Sequence, residues 1–307
     1  MRALPVGGVY LLPMSSDASR GVLTPLETVV LEDASTRARV AIAPARGGMV
    51  TRFDVDGVPV LYLDASTLMD ETKNVRGGNP VLFPSPGPLA GDHFTRDGKS
   101  GSMKQHGFAR SRAWTVIDAK GAGEATLELR SDEVTRAVYP WDFVARLRYA
   151  LAATTLTIET TVSNTSALSM PFALGFHPYF QVPDAEKARA RIPTGATGAF
   201  DNVTKKTIDL PATFAVDLTA TEVDLHLVDH GANSATLHRA GDAIVVSASA
   251  DFGRWVIWTL AGKDFVCLEP WTAATDALNT GDHLLTLAPG ESKVLTVTIT
   301  LALAPAR

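Results

Sequence analysis

The stretches "DFVARLRYAL" (Asp142–Leu151) and "TTLTIETTVSN" (Thr154–Asn164) decide the fold class. In the first, Phe143, Ala145, Leu147, Tyr149 and Leu151 alternate with Val144, Arg146 and Arg148. In the second, Leu156, Ile158 and Val162 alternate with threonines and Glu159. Successive side chains of a strand point to opposite faces, so this period of two marks strands with one wet side. The short break at Ala152 and Ala153 joins them as an antiparallel hairpin.

The same pattern recurs outward from that hairpin. "RWVIWTL" and "DFVCLEPW" bracket the short turn "AGKD", and the closing "KVLTVTITLAL" sets Leu295, Val297, Ile299 and Leu301 against threonines. "RARVAIAP", "AWTVIDAK" and "ATLELRS" add three further strands. No segment carries a long apolar stripe at helical spacing; Asp64 to Asn74 has room for a helical turn or two. Many short strands punctuated by Gly, Pro and Asp, without a βαβ rhythm, predict an all-β, large antiparallel sandwich. One domain spanning residues 1–307 is expected, since neither a low-complexity linker nor a fixed-period repeat interrupts the chain.

The 307 residues are 46% hydrophobic and 20% charged, which suits a globular core needing no disulfide or metal staple. A formal net charge of −5 and the lack of a basic stripe argue against nucleic acid as a partner. No stretch approaches the roughly 18 apolar residues of a spanning helix, and Pro and Gly interrupt "MRALPVGGVYLLPMSSDAS" before it resembles a signal peptide. A single cysteine, Cys267, cannot pair within the chain and fits a reducing compartment. The expected address is therefore the cytoplasm, with no membrane partner.

Four segments combine polar chemistry with rigid or aromatic neighbours: "RGGNPVLFPSPGPL" (Arg76–Leu89), "KQHGFARS" (Lys104–Ser111), "LGFHPYF" (Leu174–Phe180) and "CLEPWTA" (Cys267–Ala273). The first is proline-rich yet apolar, a stiff loop in which Arg76 is either a surface residue or a donor to substrate oxygens or phosphate. In the second, His106 and Arg110 are open to structural or binding roles. In the third, read as a strand, Ala173, Gly175, His177 and Tyr179 share a face, and the small residues leave open space beside His177. Pro178 holds His177 toward an extended backbone. An imidazole titrating near ~6.5 beside open volume is a candidate proton donor, with a core histidine as the alternative. In the fourth, Phe265, Cys267 and Glu269 share a face. A glutamate there either lines a dry cleft, where desolvation raises its pKa and suits a general base, or pairs with an arginine such as Arg254. Cys267 reads as buried filler. No nucleophile elbow, phosphate-binding loop, dinucleotide fingerprint or zinc-ligand spacing is present, so neither metal nor cofactor is expected.

Together "RGGNPVLFPSPGPL", "QHGFAR", "YPWDF", "LGFHPYF", "CLEPWTA" and "LTLAPGES" resemble, in order, the motifs of the aldose 1-epimerase (galactose mutarotase-like) family. The resemblance implies a β-supersandwich with a sugar cleft and cofactor-free exchange of the α and β anomers of an aldose. It implies His177 as general acid, Glu269 as general base on the opposite side of the sugar, and His106 and Arg76 as sugar contacts. Tyr179 and Arg110 complete the expected substrate-binding set. The chain departs from galactose mutarotases at Pro178, where threonine is frequent, and no further acidic sugar ligand is recognised by motif. Some relatives with an "RGG-x-P" loop and "HGFAR" act on hexose 6-phosphates, which Arg76 and Arg110 also suit. A non-catalytic sugar-binding protein is a further alternative. A glycoside hydrolase would need a second carboxylate, for which Asp142, Asp251 and Asp276 are the candidates. The expected assembly is a monomer or homodimer.

Overall fold

The computed structural model describes residues 9–11, 26–70, 72–211 and 216–303; most of the N-terminal stretch quoted above lies outside them. Three large sheets dominate, and every ladder between their strands is antiparallel. The hairpin Phe143–Ala152 and Thr155–Asn164 occupies the middle of a seven-stranded sheet, its turn closed by Ala153 in a left-handed conformation (φ 49°). The strand Ser292–Leu303 inserts beside it, burying Leu295, Val297, Ile299 and Leu301 as the alternation requires. A five-stranded sheet is built around Glu27–Asp33, Ala38–Ala43 and Met49–Val55.

The third sheet has eight strands and carries the chemistry. Its centre is the fully buried strand Phe265–Trp271, flanked on one side by Arg254–Leu260 and then Glu222–Leu227. Buried side chains from all three sheets join one hydrophobic cluster that includes Ile42, Leu147, Leu268 and Ile299. Helix is confined to short pieces. The segment expected to hold a turn or two does so over Ala65–Met69, where Asp64 accepts the Ser66 N–H as the N-cap. The proline-rich loop is packed down, with Gly77 through Gly87 buried and Val81–Leu82 forming an edge strand.

Candidate active site

The third sheet brings the two principal residues together through register. "LGFHPYF" is not one strand: Gly175–Phe176 and Tyr179–Gln181 are separate pieces, broken at His177 and Pro178. Both pieces pair with Phe265–Trp271, Gly175 opposite Trp271 and Tyr179 opposite Cys267. That register sets His177 across from Glu269, and His177 Nδ1 lies 3.3 Å from Glu269 Oε1. The backbone N–H of His177 donates instead to the Pro80 carbonyl, at 3.1 Å. His177 and Glu269 therefore meet on one wall of the cleft, where the family resemblance implied opposite sides of a sugar.

The small residues before His177 are not open space. A Cβ on Gly175 would come within 2.8 Å of Trp271 Cδ1, so glycine is needed for that close approach, and Ala173 is buried against Ala273 and Ala277. The cleft is a cavity of about 330 Å³ bordered by His106, His177, Tyr179, Trp258, Glu269 and Trp271. Trp258 and Trp271 border it, whereas Trp255 and Phe83 are core residues.

Burial dominates the electrostatics. Glu269 is 2% exposed, and desolvation, reinforced by the negative charge of Asp224, pushes its carboxyl well above the usual range. A hydrogen bond from Trp271 Nε1 to Glu269 Oε2, 3.1 Å long, pulls the other way. His177 is driven down to about 3 by burial and then by the positive charges of Arg110 and Arg76. Both groups are thus pressed toward their neutral forms. The Arg254 alternative for Glu269 is not what folding produces: Arg254 pairs with Asp282 at 2.9 Å and also donates to the Val228 carbonyl.

His106 is buried, and its Nδ1 accepts the Gly87 N–H at 3.0 Å. A neutral ring so held carries its hydrogen on Nε2, as a donor, and burial followed by the charge of His177 lowers its pKa well below normal. The His177 ring stacks on Tyr179 at 4.7 Å between centroids, and Arg76 sits over Trp258 at 5.4 Å. Arg76 and Arg110 both border the cleft. Every residue expected at the site therefore converges on it.

Three residues without a motif, on one strand, join them. Along "EVDLHL", Val223, Leu225 and Leu227 are buried while Glu222, Asp224 and His226 face the cleft. His226 Nε2 lies 3.1 Å from Asp224 Oδ1, and its ring meets Trp271 edge-on at 5.2 Å. The carboxylates sharing the cleft with Glu269 are thus Glu222 and Asp224. Asp142 is bound to Arg136 and Ser131, Asp251 to Lys293, and Asp276 to Ala90 and Asn279.

Beyond Asn74, Val75 and Arg110 a second compartment of about 440 Å³ adjoins the cleft. Its border includes Arg46, Lys73 and Arg110 and, among the described residues, no carboxylate. One set of donors suited to a metal ion also emerges from folding, which no spacing in the sequence announced: His177, Cys267 and Glu269 place ligand atoms within 4.8 Å of one another.

Residues 28–300 match the family model of aldose 1-epimerase. The Slr1438 protein of Synechocystis sp. PCC 6803 has a crystal structure that superposes with a TM-score of 0.86 at 34% identity, over 96% of this chain and 100% of that one. Protein LacX (chromosomal) of Lactococcus lactis subsp. lactis is 25% identical over 279 residues, 81% of this chain and 89% of that protein. A Cenchrus ciliaris protein named "Putative glucose-6-phosphate 1-epimerase" is 32% identical over 176 residues, and the chain spans about half that relative's length (50%).

Proposed function

The chain belongs to the aldose 1-epimerase family, and from that premise we propose that its cleft interconverts the α and β anomers of an aldose. The observation that carries the proposal is the strand register that sets His177 against Glu269 at 3.3 Å beside a sugar-sized cavity. The anomeric hydroxyl and the ring oxygen are bonded to the same carbon, so an adjacent acid and base can serve both. Glu269 takes the anomeric hydroxyl proton while His177 gives a proton to the ring oxygen. The bond from C1 to the ring oxygen breaks, C1 becomes an aldehyde, rotation about C1–C2 turns its other face, and both transfers reverse. Each positioned proton transfer contributes roughly 10²–10⁴-fold.

Burial favours a protonated Glu269 beside a neutral His177, whereas the roles ask for the converse. The two states differ by one proton moved across the contact between them. His106 Nε2 supplies a further donor to a sugar oxygen, and Asp224 accepts from sugar hydroxyls.

A 6-phosphorylated aldose is the second reading, favoured by one observation. Arg76 and Arg110 stand at the cleft, and the compartment behind Arg110 adds Arg46 and Lys73. Guanidinium forks match phosphate oxygens in geometry as well as charge. The test is anomer exchange followed by NMR across free and 6-phosphorylated aldoses. Acceleration of one set above buffer is expected and identifies the substrate class. Saturable binding with no acceleration of any sugar would replace the enzyme with a sugar-binding protein.

A further inference from the structure

Beneath the cleft, the alternation along Phe265–Trp271 turns Cys267 to the same face as Glu269, and the Cys267–Tyr179 pairing places it next to the His177–Tyr179 stack. His177, with only 9% of its surface exposed, holds an Nδ1 that is buried without a hydrogen-bond partner. That nitrogen lies 3.3 Å from Glu269 Oε1, and a His177 ring nitrogen, the Cys267 thiol and a Glu269 carboxylate oxygen all lie within 4.8 Å of one another. Imidazole, thiolate and carboxylate are the donors of Zn²⁺, with bonds of roughly 2.0–2.3 Å that a small inward movement would reach. Mg²⁺ and Ca²⁺, which want oxygen donors, find only one carboxylate here.

We propose that His177 Nδ1, Cys267 Sγ and the Glu269 carboxylate form an inhibitory site for a thiophilic divalent cation, Zn²⁺ above all, entered from the sugar cleft. Three protein ligands leave a fourth position for water or a sugar hydroxyl. The thiol proton, and any proton on the carboxyl, leaves to solvent as the bonds to the cation form; nothing is oxidised or reduced. The cation then occupies the acid and the base together. The inhibitory consequence rests on the proposed anomer exchange; the binding does not.

The experiment loads the full chain with Co²⁺ and records its near-ultraviolet spectrum, then titrates Zn²⁺ against anomer exchange. A thiolate-to-cobalt charge-transfer band is expected, displaced by Zn²⁺ and absent in Cys267→Ala. That variant should keep its basal rate while its Zn²⁺ sensitivity falls at least about tenfold, the lower end of what even an outer partner of a ligand contributes. If the alanine variant fails to fold, Cys267→Ser preserves volume while removing the soft donor. No band in the unmodified protein, or an equal band in a folded cysteine variant, overturns the proposal. A cysteine-dependent band in a protein that exchanges no anomers upholds the cation site and refutes the enzymatic role.

Discussion

Glu269→Gln is the most direct perturbation of the proposed chemistry, because it removes a proton acceptor while keeping shape. The glutamine carboxamide oxygen can still accept from Trp271 Nε1, so that hydrogen bond survives. Loss of a positioned base then removes roughly 10²–10⁴-fold from the rate, which corresponds to about 2.7–5.4 kcal/mol of transition-state stabilisation. Stability moves the other way with pH. Burial raises the folded-state pKa of Glu269 above its unfolded value of about 4.3. The stability linked to that proton is fully present below the unfolded pKa and is lost as pH rises through the folded one. A carboxamide does not ionise, so the variant gains on the parent across that window. NMR anomer exchange gives the rates, and thermal melts at pH 4 to 8 give the stability difference. A variant with undiminished exchange would refute the assignment of Glu269 as base.

Four further outcomes follow from the geometry. Trp271→Phe removes the hydrogen bond that holds the Glu269 carboxyl down, so the acid limb of the rate profile, followed by NMR anomer exchange, should move up. Asp224→Asn removes the charge that pushes it up, so the same limb should move down, and KM should rise with it. Gly175→Ala sets a methyl 2.8 Å from Trp271 Cδ1, and melts should show a loss of about 1–3 kcal/mol together with slower exchange. For a phosphorylated substrate, Arg110→Met should cost kcat/KM about 10–100-fold while leaving a free aldose much less affected, because a charge-assisted hydrogen bond is lost only with the former.

The sandwich was legible because its strands alternate: Phe143, Ala145, Leu147, Tyr149 and Leu151, and Leu295, Val297, Ile299 and Leu301, face the core as their pattern demands, with Val144 buried as well. His177 and Glu269 were legible from proline-restrained segments and from family motifs, but their meeting was not. It depends on two strand fragments flanking Phe265–Trp271 in one register, with the interruption at Pro178, and such pairing between distant segments leaves no local signature. Gly175 illustrates the difficulty: a small residue signals either empty space or close contact, and here the partner is Trp271. Asp224 and His226 carried a weaker signal, since "EVDLHL" alternates and its polar face holds only titratable groups. The alternation marks a wet face without saying that the water is that of a cleft.

The position of Ser292–Leu303 has a consequence for how the chain comes into being. This last described strand is not at an edge; it lies between Asp242–Ala248 and Thr155–Asn164. Until it emerges from the ribosome, both neighbours present unpaired backbone to the surroundings, the kind of edge that invites pairing with other chains. The cleft waits similarly, because Leu174 and Thr272, which bond each other's backbone beside the site, stand 98 residues apart. Nascent chains should therefore gain sugar binding abruptly and late, and shortened ones should aggregate before they bind.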